Sequence, residues 1–199
     1  RLMAEIVREP RFPANEFETL KEQRLAGLEQ QRSDPAALAQ IALQRRMNAA
    51  PEGHPSYTAT IPEQTAGVEA VTLEEAKEFH DDFYGPQLGT LAIVGDFDPD
   101  EITLVIEEAF GDWESPYAST RVSTPFYEPV AETVAIETPD KASAFFLAQQ
   151  NLRLRDDHPD YAALTLAGYM IGGGVLNSRL ATRIRQQDGL SYGVGGGIS

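Results

Sequence analysis

Residues 161–199 read YAALTLAGYMIGGGVLNSRLATRIRQQDGLSYGVGGGIS, and the clearest structural pattern of the chain lies here. The first eleven residues, 161–171, are almost all apolar. A helix with apolar residues on most of its faces is expected to be buried. Gly172, Gly173 and Gly174 follow, and three successive glycines are poor helix formers. The pattern therefore predicts a buried helix that ends in a tight turn.

A second, short helix is predicted after the glycines. Asn177 or Ser178 can cap its N-terminus, since both side chains accept hydrogen bonds from backbone N–H groups. Leu180 and Ile184 are four residues apart and therefore lie on one face, which is the predicted buried side. Gly189 is suited to the left-handed conformation that ends a helix.

A strand is predicted over residues 190–194, where apolar and polar residues alternate. Arg185 then lies in the last helical turn and Tyr192 just after the corner, so that both polar tips can face one cleft. A guanidinium supplies charge-assisted hydrogen bonds, and a phenol supplies an O–H donor. Together these donors are suited to bind a peptide or the tetrahedral intermediate of its hydrolysis. A purely structural interpretation also stands: Arg185 is a cation at a helix C-terminus, and Tyr192 a half-buried strand residue.

The motif SRLATRIRQQDGLSYGVG (178–195), preceded by GGG, resembles the C-terminal domain signature of the pitrilysin/insulinase zinc metallopeptidases, the inverzincins. Residues 53–86 and 91–113 are similar to the family as well, so the resemblance extends over nearly the whole chain. It implies that Arg185 and Tyr192 contact the substrate and stabilise the scissile carbonyl. It also implies a half-molecule from the metal-free second half of the enzyme, which closes around the peptide with a zinc-bearing half.

The zinc motif of that family is absent from this sequence. The family binds zinc through H-x-x-E-H on a helix and a downstream glutamate, whereas His54, His80 and His158 are too far apart to form this motif. We therefore expect no metal or other cofactor in this chain. The resemblance implies that zinc in the complete enzyme is bound elsewhere, in another half of the same protein or in a partner subunit.

Other candidate ligands and catalytic groups have simpler interpretations. Glu22 or Glu29 would be the third zinc ligand if the chain followed directly after the zinc motif; the alternative is a surface carboxylate on an acidic helix. His80 stands beside Asp81 and Asp82, but adjacent helical residues do not face each other, so we expect a solvated helix end. His54 is expected to be structural, and His158 to be exposed.

Composition excludes several classes of protein. The chain has 199 residues, 42% of them hydrophobic, which is incompatible with a disordered protein. A net charge of −15 argues against nucleic-acid binding, which needs a basic surface. There is no cysteine, and no apolar run long enough to span a membrane. The first residue is arginine and the sequence stops as the last strand begins, so we expect a piece of a longer protein.

The order of predicted elements indicates an α+β fold, with helices packed on a mainly antiparallel sheet. Strands are predicted at 91–94, 130–137 and 144–152, and the last two are close enough for a hairpin. The resemblance implies the same architecture, as in mitochondrial-processing-peptidase-like and inverzincin domains. Residues 1–114 are expected to end one α/β domain with a strand–helix unit, 115–129 to be a linker, and 130–199 to hold the hairpin, the buried helix and the substrate cleft.

Helix caps are predicted at four further places. Asp34 precedes a proline and Asp98 precedes another, Thr72 and Glu75 have capping-box spacing, and Asn15 has the same spacing to Glu18. Residues 51–71 are expected to form a loop rich in proline, glycine and threonine. Two apolar helix faces are predicted, one of Leu73, Ala76, Phe79 and Phe83, the other of Ile102, Val105, Ile106, Ala109 and Phe110.

Two functions follow from these expectations. The first is a part of a zinc metalloendopeptidase, inactive alone, that supplies substrate binding and transition-state stabilisation to the zinc-bearing half. The second is a non-catalytic scaffold or partner subunit of the same fold, since a fold does not determine a function. The family resemblance slightly favours a periplasmic or secreted location, and the expected partners are the zinc-bearing half and a peptide.

Overall fold

The computed structural model describes residues 2–118, 120–174 and 176–198. Its α-helices are α1 Leu2–Arg8, α2 Ala14–Gln31, α3 Pro35–Met47, α4 Ile61–Ala70, α5 Leu73–Phe83, α6 Pro99–Phe110 and α7 Tyr161–Gly168. A 3-10 turn spans Pro86–Leu88, and two π-helical segments span Tyr169–Gly173 and Ala181–Gln187. The chain divides into two compact units, one up to Asn151 and one from Leu152. No helix of the described ranges is long and apolar enough to cross a membrane.

The predicted α+β fold on an antiparallel sheet is wrong. Within the ranges that the structure describes, no residue lies in a strand, and all regular structure is helical. The segments 91–94, 130–137, 144–152 and 190–194 are not helical, but none pairs with a neighbour. Alternation of residue types predicts which side of a strand is apolar, whereas a sheet forms only when two strands exchange backbone hydrogen bonds. Most of their large apolar side chains remain open to solvent, as Val130 does at 89% exposure.

Most of the predicted caps are confirmed. Asp34 accepts a hydrogen bond from the Ala37 backbone N–H at 2.7 Å, and Asp98 accepts from the first turn of α6. Thr72 forms a complete capping box at the start of α5. The cap predicted at Asn15 is wrong, because α2 already begins at Ala14, after Pro13, and has no side-chain cap.

The predicted loop over residues 51–71 is also wrong in its second half, which forms α4. Thr60 and Glu63 make a second capping box there, and Pro62 lies in the first turn. Each of these residues favours a helix start. Lys21 of α2 donates to the backbone oxygens of Glu69 and Val71, at 2.8 and 3.0 Å, where α4 ends. These bonds satisfy carbonyl groups that have no partner inside the helix.

The core of the first unit lies where α2 packs against α4. Leu28 of α2 is fully buried and Ile61 of α4 is nearly so. The predicted apolar stripe of α6 is confirmed as its less exposed side, although its residues are half-buried. The burial predicted for the helix after residue 160 is wrong for Leu166, Tyr169 and Met170, which are exposed. An apolar sequence favours burial, but burial also needs a surface that covers the helix.

The two capping boxes predict how stability depends on pH. The backbone N–H of Thr60 donates to the Glu63 carboxylate at 2.6 Å and its hydroxyl at 2.8 Å, which lowers the pKa of Glu63 below its ordinary value of 4.5. The backbone N–H and hydroxyl of Thr72 lower the pKa of Glu75 in the same way. A carboxylate with a lowered pKa in the folded state stabilises the protein at higher pH. That stabilisation is lost as the pH falls below about 4.5 and through the folded-state pKa.

We therefore expect the free energy of unfolding to fall as the pH is lowered from about 6 to about 3, and Glu63→Gln to weaken this dependence. Urea unfolding at several pH values measures it. Glu69→Gln is the control, since Glu69 is on the same helix outside the box. An unchanged pH dependence in Glu63→Gln would contradict the expectation.

Candidate functional site

Two side chains hold the second π-helical segment to the turn that precedes it. Ser178 is buried, and its hydroxyl accepts a hydrogen bond from the Ala181 backbone N–H at 3.1 Å, which confirms the predicted cap. The Gln186 side chain donates to the backbone oxygen of Leu176 at 2.8 Å. The segment is therefore fixed to the turn that precedes it. π-helical turns of this kind occur frequently at functional sites.

The end of the segment is fixed by an ion pair and by backbone hydrogen bonds. Arg183 Nε lies 2.9 Å from Asp188 Oδ2, and the Asp188 N–H donates to the Arg183 carbonyl oxygen at 3.0 Å. The Leu190 N–H donates to the Ile184 oxygen at 2.9 Å. Gly189 has a φ of +63°, which confirms the predicted left-handed cap. These contacts turn the chain back so that the residues after Gly189 lie beside the helical segment.

Arg185 and Tyr192 are in direct contact. Arg185 Cζ lies 4.4 Å from the centroid of the Tyr192 ring, within the range of a cation–π interaction. Arg185 is half-buried, whereas Tyr192 is 85% exposed. The Ser191 hydroxyl donates to the Gly193 backbone oxygen at 2.7 Å, which tightens the loop around Tyr192. The structure brings the two predicted site residues together, with Arg185 in the π-helical segment as predicted and Tyr192 on an unpaired loop and not on the predicted strand.

Two glycine-rich stretches, residues 172–174 and 195–197, pack closely against each other at Gly172 and Gly196. A Cβ atom added to Gly172 would lie 2.3 Å from the backbone nitrogen of Gly196 and 2.5 Å from its oxygen. The approach therefore requires that residue 172 has no side chain, whereas a Cβ atom on Gly196 would lie at an ordinary 3.6 Å from Leu180 Cδ1. The sequence predicted a tight turn at Gly172, and the close approach of Gly172 to Gly196 is seen only in the structure. The contact holds the residues that follow Tyr192 against the first π-helical segment.

His80 is a core residue, and the predicted solvated helix end is wrong. The residue is 9% exposed, with its Nε2 2.8 Å from the Val7 backbone oxygen. Its ring packs against the rings of Phe12, Tyr84 and Trp113. Apolar spacing predicted that Phe79 lies on the buried face of α5. In the structure the helix turns the next residue, His80, into the core, and the ring of Phe79 is exposed. The sequence signal was the aromatic residues on both sides of His80 (EFHDDFY), which provide apolar surface around the helix.

The remaining candidate ligands are also accounted for. His54 Nδ1 accepts a hydrogen bond from the Ser56 backbone N–H at 3.0 Å, in agreement with a structural role. His158 is exposed, as predicted. Glu22 is exposed, and Glu29 forms an exposed ion pair with Arg32 at 3.1 Å, as surface carboxylates do. Among residues 2–118, 120–174 and 176–198, no three histidine, cysteine, aspartate or glutamate side chains are grouped to hold a metal ion. The donor set therefore does not fit a catalytic zinc.

Comparison with known proteins agrees with the sequence motif. Residues 70–199 match the family model described as the peptidase M16 inactive domain. The chain is 26% identical over 200 residues to "Non-peptidase homolog YmxG" of Helicobacter pylori (strain ATCC 700392 / 26695), a match that covers 96% of this chain and 43% of the relative.

A solved structure gives the same relationship. The chain resembles the crystal structure of a peptidase M16 inactive domain from Pseudomonas fluorescens, with a TM-score of 0.73 and 29% identity. That match covers 100% of this chain and 46% of the crystallised one. The chain thus spans less than half the length of both relatives. The metallopeptidase-family relationship predicted from the motif is confirmed, and this chain belongs to the peptidase M16 inactive domain family.

Proposed function

We propose that this chain is the substrate-holding part of a zinc peptidase of the M16 family, and that a zinc-bearing half outside the chain carries out the cleavage. The observation that carries the proposal is the contact between Arg185 and the exposed Tyr192, with Arg185 Cζ 4.4 Å from the ring centroid. The chain spans less than half of its relatives, which leaves room for such a half in the complete protein.

The pair has the chemistry to hold a peptide. The ring of Tyr192 supports the Arg185 side chain by a cation–π contact and leaves guanidinium N–H groups available to peptide oxygens. The Tyr192 hydroxyl adds a second donor, which can stabilise an oxygen that gains negative charge. The ion pair of Arg183 and Asp188 fixes the end of the segment that carries Arg185, so the backbone at Arg185 is held in place before the peptide arrives.

A second candidate is a non-catalytic scaffold or partner subunit. It is favoured by the Helicobacter pylori relative, whose name describes a non-peptidase homolog. In a scaffold, the Arg185–Tyr192 pair stabilises only the end of the helical segment. The two candidates therefore make different predictions: substitution of Arg185 or Tyr192 changes peptide hydrolysis in the first and leaves it unchanged in the second.

Hydrolysis of fluorogenic peptides by the complete protein tests the proposal. Arg185→Ala and Tyr192→Phe are each expected to lower kcat/KM by about tenfold, the loss expected for one hydrogen bond to a charged group. The zinc content should not change, since neither residue holds metal. Arg179→Ala is the control, because Arg179 is an exposed arginine near the start of the same segment. Hydrolysis that is unaffected by both substitutions would overturn the proposal, and wild-type protein without hydrolysis or peptide binding would favour the scaffold.

A further inference from the structure

The turn that ends the second π-helical segment joins two residues that are five positions apart. The Asp188 N–H donates to the Arg183 backbone oxygen at 3.0 Å, which is the hydrogen-bond spacing of a π-helix. The two side chains meet as well, since Arg183 Nε lies 2.9 Å from Asp188 Oδ2. The backbone hydrogen bond and the ion pair therefore support the same register.

An α-helical turn would give Asp188 a different neighbour. On an α-helix, side chains three or four positions apart are neighbours, whereas side chains five positions apart are not. Asp188 follows Arg185 by three positions and Arg183 by five. With α-helical hydrogen bonds, its carboxylate would lie on the side of Arg185. The observed π turn brings it to Arg183 instead.

The partner of Asp188 matters for the peptide site. Guanidinium N–H groups that bind a carboxylate are not available to peptide oxygens, and hydrogen bonds to a charged acceptor are stronger than those to a neutral one. The Asp188 side chain is 31% exposed, so water only partly solvates its charge. An Asp188 carboxylate without Arg183 would therefore compete with the peptide for Arg185.

We propose that Arg183 is a positioning residue of the peptide site, which holds Asp188 and thereby keeps the Arg185 guanidinium available to the peptide. This inference rests on the proposed peptide-holding function and adds how the site is kept open. Arg183 acts through Asp188 and does not touch the peptide. An ion pair that only stabilised the end of the segment would behave differently, because removal of either partner would then have the same effect.

Hydrolysis of fluorogenic peptides by the complete protein tests this role. Arg183→Ala leaves Asp188 free to bind Arg185 and is expected to lower kcat/KM by about threefold, the effect of a partly exposed ion pair. Asp188→Asn breaks the same ion pair without leaving a free carboxylate, so its loss should be smaller. The double variant Arg183→Ala/Asp188→Asn should recover most of the activity lost in Arg183→Ala. Arg183→Lys retains a cation for Asp188 and should stay close to the wild type.

Two controls assign the effect to Arg185. In an Arg185→Ala background, Arg183→Ala should have no further effect, because the guanidinium that Asp188 would bind is missing. Arg179→Ala removes an exposed arginine near the start of the segment and should keep wild-type activity. Wild-type activity in Arg183→Ala, or a double variant no more active than Arg183→Ala, would overturn the role of Arg183 but not the peptide-holding function. Unchanged hydrolysis in Arg185→Ala, or no hydrolysis by the wild type, would overturn both.

Discussion

Gly172→Ala is expected to destabilise the unit from Leu152 onwards by about 3 kcal/mol, at the upper end of the usual cost of overpacking. The new methyl group would lie 2.3 Å from the Gly196 nitrogen, and Gly196 has no side chain that could move aside. Backbone must therefore shift. Because this contact holds the residues that follow Tyr192, the Arg185–Tyr192 pair should also become looser.

Hydrogen exchange measured by mass spectrometry on peptides from residues 161–198 reports this loss directly. Exchange in that region should become faster in Gly172→Ala, while exchange in α2 and α4 stays unchanged. Gly193→Ala is the matched control, since nothing lies within 4 Å of a Cβ atom there. Equal protection in Gly172→Ala and the wild type would show that Gly172 and Gly196 do not pack closely in solution.

Leu28→Ala is expected to lower the free energy of unfolding of the first unit by about 3 kcal/mol, since large-to-small substitutions at buried leucines cost about 2–5 kcal/mol. Leu28 has 0% exposure and lies on α2, which packs against α4. Its removal takes apolar contacts away and leaves a cavity. Few side chains in this unit are fully buried, so each of them contributes a large share of its stability.

Urea unfolding followed by tryptophan fluorescence measures this loss. Trp113 is the single tryptophan of the chain and belongs to the first unit, so its signal does not report on the second. Leu20→Ala is the control on the same helix, because Leu20 is 64% exposed and should lose less than about 0.5 kcal/mol. Similar midpoints for Leu28→Ala and Leu20→Ala would contradict the assignment of Leu28 to the core.

Helix ends were the part of the structure that local sequence predicted best. The caps at Asp34, Thr72, Asp98 and Ser178 and the left-handed Gly189 are all confirmed. Each depends on hydrogen bonds or backbone angles within three or four residues, so the information is complete in the local sequence. The α4 capping box at Thr60 and Glu63 had the same local signal and was missed, because the prolines and glycines around it indicated a loop.

Local sequence did not predict whether strands pair, or which side chains of α5 are buried. The alternating segments could be recognised as apolar on one side, but pairing depends on a second strand that the segment itself does not specify. The burial of His80, and the exposure of Phe79, depend on which side of α5 faces α1 and Trp113. Both are decided by residues distant in the chain.

The candidate site combines the two kinds of information. By itself, the sequence indicated the family and predicted Arg185 and Tyr192 as site residues, because the spacing from Arg185 to Tyr192 and the glycines around them form a recognisable motif. Only the tertiary structure decided that the guanidinium rests on the ring, and that Gly172 and Gly196 touch. The physical reason is distance along the chain: helix ends are determined by neighbours within one turn, whereas contacts across a turn depend on how the whole unit packs.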